Sequence, residues 1–115
     1  MELIHSTTAV YMMASGQHGT IYIGVTGHFI QRIQQHREGT REGFTRRYRV
    51  KRLVWFEMHE GIMTAIQREK SLKKYRRDWN VNLIERENPL WADLYPALMR
   101  EAGPLSHLQP PERSL

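Results

Sequence analysis

Apolar and polar positions near the start of the chain alternate in a pattern typical of a β-hairpin. Residues 8–14 and 20–26 are rich in β-branched, aromatic and other apolar side chains. The sequence Ser-Gly-Gln-His-Gly separates them at 15–19 and supplies the glycines that a turn favours. We therefore predict two strands joined by a loop of medium length.

Each arm of this hairpin carries one tyrosine, Tyr11 in the first and Tyr22 in the second. The aliphatic residues Ile21, Ile23 and Val25 occupy alternate positions of the second arm, so Tyr22 is predicted on the opposite face. Tyr11 shares that face only if the residue numbers paired across the hairpin have an odd sum. A slip of one residue would separate the two tyrosines. The sequence leaves this register open.

Four further elements follow along the chain. An amphipathic helix is predicted over about 28–37 and a third strand over 50–58, with a glycine- and arginine-rich loop at 38–48 between them. The longest helix is predicted over 62–77, and a short helix over 78–87. Together these elements predict a single α/β (α+β) domain.

The helix over 62–77 carries an acidic residue where apolar residues are expected. Glu69 lies only about 20° from Ile62 around the helix axis, on the apolar stripe. Burying a lone carboxylate is costly unless a partner or a cation accompanies it. A salt bridge from Glu69 to Arg32 or to a lysine is one explanation, and a bound metal ion is the other.

The last part of the domain shows a helix-start signal followed by an apolar stripe. Asn88 and Pro89 are typical of an N-cap and a first helical position. An i, i+3, i+4, i+7 pattern follows and predicts a core-closing helix through Trp91, Leu94, Tyr95 and Leu98. We place the domain at 1–102 and predict a disordered or loosely packed tail at 103–115, which has three prolines and little apolar content.

Composition limits the classes of protein that remain. The 115 residues suffice for one modest core, and the absence of cysteine excludes disulfides and thiolate metal sites. No apolar run approaches the roughly 20 residues of a membrane span, and the N-terminus lacks the pattern of a secretory signal. We expect a soluble cytoplasmic protein. Four histidines show no metal-ligand spacing and are interpreted as ordinary surface residues: His5, His18, His59 and His107.

The charge distribution points to a polyanionic partner. Residues 32–77 contain 14 Lys/Arg against 5 Asp/Glu, whereas the rest of the chain contains 3 against 7. Such a polarised charge favours nucleic acid bound on one side, although a solvated arginine-rich surface is the simpler alternative. The candidate phosphate contacts are Arg46, Arg47, Lys51, Lys73, Lys74 and Arg77.

The order of these motifs resembles the GIY-YIG nuclease superfamily. The shared features are Tyr11, the intact triplet Tyr22-Ile23-Gly24, Arg32 four residues before His36, and Glu69 within an Arg-Glu-Lys sequence. The chain looks like the small single-domain bacterial members, which are related to the N-terminal nuclease domain of the excision-repair excinuclease. The resemblance implies a small three-stranded antiparallel sheet flanked by helices. The first triplet departs from the family pattern, with Ala-Val-Tyr in place of Gly-Ile-Tyr.

The resemblance also implies roles for individual residues. Tyr11 would position and deprotonate a water molecule, with Tyr22 as catalytic support or as a packed aromatic residue. A tyrosine with an ordinary pKa of about 10 is a poor base, so a neighbouring cation such as Arg32 is needed to lower it. Arg32 also offers a planar fork that matches phosphate oxygens, and His36 would relay a proton.

Two further residues complete the implied site. Glu69 would bind one Mg²⁺, with Mn²⁺ as a substitute, while water and phosphate fill the rest of the shell. The asparagine that family members carry near the end of the domain corresponds to Asn88 or Asn82, and Asn88 fits the position better. A role as a helix cap is the alternative for Asn88.

We predict a divalent-metal-dependent endonuclease that hydrolyses phosphodiester bonds of DNA, with a repair or recombination intermediate as substrate. Two alternatives stay open, a nucleic-acid-binding module without turnover and an RNA-directed nuclease. Because no further domain is present to select a target, we expect either low sequence specificity or a targeting partner protein that supplies it.

Overall fold

The computed structural model describes residues 7–39 and 49–106, with side chains as far as residue 100. Two of the predicted phosphate contacts, Arg46 and Arg47, lie outside the described residues, as does most of the predicted loop. No helix in the described ranges is long and apolar enough to cross a membrane.

The described part of the chain forms a three-stranded antiparallel sheet flanked by helices, which confirms the predicted fold class. The strand order is β2-β1-β3, so the first strand is central. In chain order the elements are β1 (Thr8–Ala14), β2 (Ile21–Thr26), α1 (Phe29–Glu38), β3 (Arg52–His59), α2 (Ile62–Lys74), α3 (Arg77–Glu87) and α4 (Tyr95–Ser106).

The hairpin register places both tyrosines on the same face of the sheet. Tyr11 lies opposite Gly24 and Met13 lies opposite Tyr22, so the paired residue numbers have an odd sum. The condition that the sequence left open is therefore met. The central strand is also buried on both faces, with every residue from 9 to 14 fully inaccessible.

The two faces of the sheet support separate cores. On one face the even-numbered residues of β1 pack against α2 and α3, in a cluster that includes Val10, Met12, Ala14, Ala65, Leu72, Ile84 and Trp91. On the other face the odd-numbered residues of β1 pack against α1 and α4, in a cluster that includes Ala9, Tyr11, Met13, Phe29, Ile33 and Leu53. The tyrosines thus belong to the α1 face and the long helix α2 to the other.

The predicted helix from Asn88 onward is wrong. Asn88 ends α3 instead, and α4 begins only at Tyr95. Trp91 lies in the core on the α2 face, whereas Leu94 and Leu98 pack against the core on the α1 face. The apparent helical stripe is divided between two cores, because the segment 88–94 passes from one face of the sheet to the other. Helix α4 continues to residue 106, beyond the predicted boundary at 102.

The segment 88–94 covers the edge of β3 that does not pair with β1. The Asn88 side-chain amide donates to the Val54 carbonyl at 3.1 Å, and the Leu94 amide donates to the Leu53 carbonyl at 2.8 Å. The Leu53 amide in turn donates to the Asp93 carboxylate at 3.1 Å. These bonds satisfy an edge strand that would otherwise present open backbone groups.

The apolar stripe of α2 begins later than the sequence pattern indicates. Ile62 is 44 % exposed and Met63 is 69 % exposed, whereas Ala65 and Leu72 are fully buried. The sheet therefore covers α2 only beyond its first turn. The buried Asn80 joins α2 to α3 by donating its amide to the Leu72 carbonyl at 3.0 Å.

The hairpin loop is fixed to α3 through a residue that was interpreted as an ordinary surface histidine. The His18 imidazole pairs with the Glu85 carboxylate at 2.7 Å, and the Trp91 indole donates to the same carboxylate at 2.8 Å. The Arg77 guanidinium donates to the carbonyls of His18 and Gly19 at 2.9 and 2.8 Å. The interpretation of His18 is corrected, because an exposed pair holds the loop in place.

Replacing Asn88 by alanine tests its structural role. Its side chain also donates to the Ala92 carbonyl and accepts the Ala92 amide, so Asn88→Ala leaves several buried groups without partners. We expect a loss of about 2–3 kcal/mol in the free energy of unfolding, measured by urea denaturation. The exposed Asn82 is the control, and Asn82→Ala should change stability by less than about 0.5 kcal/mol. Equal stability of the two variants would contradict the bonding described.

The hydrogen bonds of the Glu85 carboxylate predict how the stability of the protein depends on pH. Hydrogen bonds from the Trp91 indole and the His18 imidazole hold the pKa of Glu85 below its ordinary value of 4.5. A lowered pKa in the folded state stabilises the protein above the ordinary value, and this contribution is lost as the pH falls through the folded-state pKa. The stability difference between wild type and Glu85→Gln should therefore shrink below pH 4.5. Urea denaturation at a series of pH values measures it, with Glu87→Gln, the same change at an exposed residue of α3, as the matched control variant.

Candidate active site

A buried hydrogen bond between Tyr11 and His36 forms the centre of the candidate site. The Tyr11 hydroxyl lies 2.8 Å from His36 Nε2, and both side chains are buried. Tyr11 projects from the central strand and His36 from the inner side of α1. Because a buried hydroxyl is costly to leave without a partner, this bond accounts for the presence of a histidine in an apolar core.

Tyr22 completes an aromatic group that we call the tyrosine cluster, consisting of Tyr11, Tyr22 and His36. The Tyr22 ring centroid lies 6.2 Å from that of Tyr11 and 5.3 Å from that of His36. Phe29 packs on Tyr11 at 6.1 Å. Tyr11 is fully buried, whereas Tyr22 is only half-buried. Tyr22 is therefore the tyrosine of the cluster that reaches solvent.

Gly24 makes room for this cluster. A Cβ atom at Gly24 would lie 2.5 Å from both the Cζ and the hydroxyl oxygen of Tyr11 and 2.9 Å from a ring carbon of Tyr22. These distances are well below van der Waals contact. The glycine of the second triplet is thus required by space, a reason that the sequence motif alone does not show.

Arg32 lies one helical turn before His36 on α1 and is half-buried. Within the described ranges, its guanidinium forms no hydrogen bond or ion pair with another residue. An arginine that keeps all five donors available is suited to bind the oxygens of an anion such as phosphate.

Glu69 pairs with a lysine of its own helix. Its carboxylate pairs with the Lys73 ammonium at 2.5 Å, and its side chain is 13 % exposed. The residues of its own stripe, Ala65 and Leu72, pack on the sheet face opposite the cluster. The lysine salt bridge considered from the sequence is thus the pairing observed.

The donor set around Glu69 limits which cation it suits. The described residues contain no group of three or more His, Asp or Glu side chains arranged to hold a metal ion. A single carboxylate suits Mg²⁺, which commonly keeps several waters and takes phosphate oxygens as further ligands. It does not suit a tightly held zinc ion, which takes three or four protein ligands.

Asn88 and Asn82 occupy very different surroundings. The Asn88 amide is buried and engaged in the hydrogen bonds to Val54 and Ala92 that cover the edge of β3. Asn82 is exposed on α3. A catalytic role for Asn88 remains a prediction, and its structural role is accounted for by these bonds.

The predicted phosphate contacts that the structure describes fall into two groups. All four are exposed; Lys73 in addition pairs with Glu69, and Arg77 in addition donates to the hairpin loop. A cleft of about 390 Å³ contains Lys51 together with three arginines, one of them paired with an aspartate. Its lining residues are Ser15, Arg37, Arg49, Lys51, Arg52 and Asp93.

Comparison with known proteins establishes the family. Residues 8–82, more than half of the chain, match the model of the GIY-YIG catalytic domain. The UPF0213 proteins of Staphylococcus aureus strains Mu50 and N315 are each 31 % identical to the chain over 67 residues, which cover 58 % of this chain and 82 % of theirs. No solved structure matches the chain. The chain belongs to the GIY-YIG family, as its motifs indicated, and this is a nuclease-type family.

Replacing Gly24 by alanine should disrupt the tyrosine cluster. The added methyl group must displace the Tyr11 ring, so we expect a loss of about 1–3 kcal/mol in stability and altered NMR signals of the His36 ring. Gly27→Ala is the matched control, because no atom lies within 4 Å of a Cβ at Gly27. If the two variants match in stability and in their His36 signals, the packing described here is contradicted.

Proposed function

We propose that the protein is a divalent-metal-dependent endonuclease that hydrolyses phosphodiester bonds of DNA. The observation that carries the proposal is the tyrosine cluster on one face of the sheet, with the guanidinium-bearing Arg32 one helical turn away. Hydrolysis needs an activated water and a group that stabilises the charge building on phosphoryl oxygens. Membership of the GIY-YIG family supports both the reaction class and binding to nucleic acid.

Burial divides the roles of the two tyrosines in this proposal. Tyr11 is fully inaccessible and so does not contact water in this conformation. We assign the contact with the attacking water to the half-buried Tyr22. Tyr11 and His36 pack against its ring and are joined to each other by a hydrogen bond, so they position Tyr22.

Arg32 is the residue assigned to the phosphate. Its planar fork would bind two phosphoryl oxygens and stabilise the charge that increases as the water attacks. A lysine at this position would keep the positive charge but lose the two parallel hydrogen bonds. This difference makes Arg32→Lys a more informative variant than removal of the whole side chain.

Glu69 is the residue assigned to the metal ion. GIY-YIG nucleases generally depend on a divalent metal, and Mg²⁺ is the ion that this single carboxylate suits. When bound, the ion would stabilise the charge on the leaving oxygen. Binding there requires the Lys73 ammonium to leave the carboxylate, which would free this lysine for a phosphate of the same substrate.

A second candidate function is a nucleic-acid-binding module without turnover. The Glu69–Lys73 pair favours it, because a carboxylate already neutralised by an ammonium group needs no metal ion. An RNA-directed nuclease would use the same residues as the DNA enzyme. Action on a repair intermediate, a targeting partner and a cytoplasmic location are further parts of the proposal.

A cleavage assay with matched variants tests the proposal. Purified protein is incubated with single-stranded, duplex and branched DNA and with RNA, in Mg²⁺ or in chelator. We expect Glu69→Gln and Arg32→Lys to bind DNA but to cut it at least about 100-fold more slowly than wild type. Glu60→Gln changes an exposed carboxylate in the same way and should cut at the wild-type rate.

Three results would contradict the proposal. Cleavage at equal rates by all variants would indicate a contaminating nuclease. Binding without cleavage under any metal would favour the binding module. Preferential cleavage of RNA would replace the DNA substrate by RNA.

A further inference from the structure

One large aromatic residue lies exposed at the start of α3. Trp79 is 59 % exposed, whereas the other two tryptophans, Trp55 and Trp91, are 6 % and 0 % exposed. An exposed indole leaves a large apolar surface in water, which is unfavourable unless something covers it. No hydrogen bond of its side chain to a described residue accounts for its position.

The Trp79 ring is held in a defined orientation. Tyr75, the residue that ends α2, meets it edge to face with the ring centroids 5.2 Å apart. Tyr75 is itself partly buried against the core on the α2 face. The core therefore anchors Tyr75, and Tyr75 supports the indole, so that a ligand would meet a surface already ordered.

Positive charge surrounds this aromatic pair. Lys74 and Arg76 are exposed on either side of Tyr75, and the Lys73 side chain is 54 % exposed. The neighbouring carboxylate is that of Asp78, which lies 3.4 Å from the Arg76 guanidinium in an exposed pair. An aromatic surface among cations matches a nucleotide, whose base stacks and whose phosphate is negative.

The aromatic pair lies at the C-terminal end of the helix that carries the proposed metal ligand. Tyr75 follows Glu69 by six residues at the end of the same helix, a rise of about 9 Å along its axis. This distance corresponds to about three nucleotides of a stacked strand. A strand that is cut near Glu69 and follows α2 would extend to the end of the helix where Tyr75 supports Trp79.

We propose that Trp79, supported by Tyr75, is a stacking site for an unpaired base of the DNA substrate. This inference rests on the proposed nuclease function and specifies its substrate, DNA with a single-stranded segment next to the cleaved bond. Paired bases in a duplex are stacked on one another and do not present a free face to the indole. Trp79 would thus select flaps, branches or single strands over continuous duplex.

Tryptophan fluorescence offers a measurement that does not depend on cleavage. Since Trp55 and Trp91 are buried, stacking of a base on the protein should quench mainly the emission of Trp79. Wild-type protein is titrated with a short oligothymidylate in chelator, and affinities for the single strand and for a duplex are measured separately. We expect strong quenching by the single strand.

Three variants define the result. Trp79→Ala should abolish the quenching and weaken single-strand binding at least about fivefold, while duplex binding stays unchanged. Trp79→Phe keeps an aromatic face and should retain most of the affinity. Leu90→Ala removes another exposed apolar side chain, 72 % exposed, and should bind as wild type does. Circular dichroism confirms that each variant is folded.

Two results would overturn the inference. One is single-strand affinity of Trp79→Ala equal to that of wild type. The other is a wild-type dimer that dissociates in Trp79→Ala, seen by sedimentation, which would identify the indole as a self-association surface.

The outcome is separable from that of the nuclease proposal. Quenching without any cleavage would reject the nuclease proposal and support the stacking site. Mg²⁺-dependent cleavage, with single-strand binding unchanged in Trp79→Ala, would support the nuclease proposal and reject the stacking site.

Discussion

The alternation of side chains along the central strand β1 is the constraint on which the rest of the structure depends. This strand is buried on both faces, so each of its residues must fit one of two cores. A shift of one residue would move Tyr11 from the α1 face into the core beneath α2 and α3 and separate it from Tyr22 and His36. The hairpin register therefore determines whether the candidate site exists.

Burying the Tyr11 hydroxyl has consequences for the surrounding residues. A hydroxyl in an apolar core needs a hydrogen-bonding partner, and His36 supplies it from α1. The same ring needs space on β2, which only glycine provides at position 24. Tyr22 and Arg32, both half-buried, are then left at the accessible side of this group, where a phosphate and a water would approach. In the proposed enzyme the buried pair, Tyr11 and His36, would support the site, and the half-buried pair, Tyr22 and Arg32, would contact the substrate.

Features set by short sequence spacing were predictable, whereas those set by distant contacts were not. Strand alternation and helical periodicity indicated the three strands and placed Arg32 and His36 one turn apart. The sequence established only the condition for the two tyrosines to share a face, namely that the residue numbers paired across the hairpin have an odd sum. It did not fix the hairpin register. The final helix was misplaced because Trp91 serves a different core from the apolar residues that follow it. No local signal marks the pairing of His18 with a carboxylate 67 residues away.

The central claim is that Glu69 and the tyrosine cluster form one active site, although α2 and the cluster pack on opposite faces of the sheet. The most direct test is NMR line broadening by Mn²⁺, a paramagnetic ion that substitutes for Mg²⁺. Mn²⁺ should broaden the ring signals of Tyr22 and His36 in wild type, and Glu69→Gln should abolish this effect. Broadening confined to residues beneath α2, such as Ala65 and Leu72, would show that the carboxylate and the cluster are separate and would contradict the account.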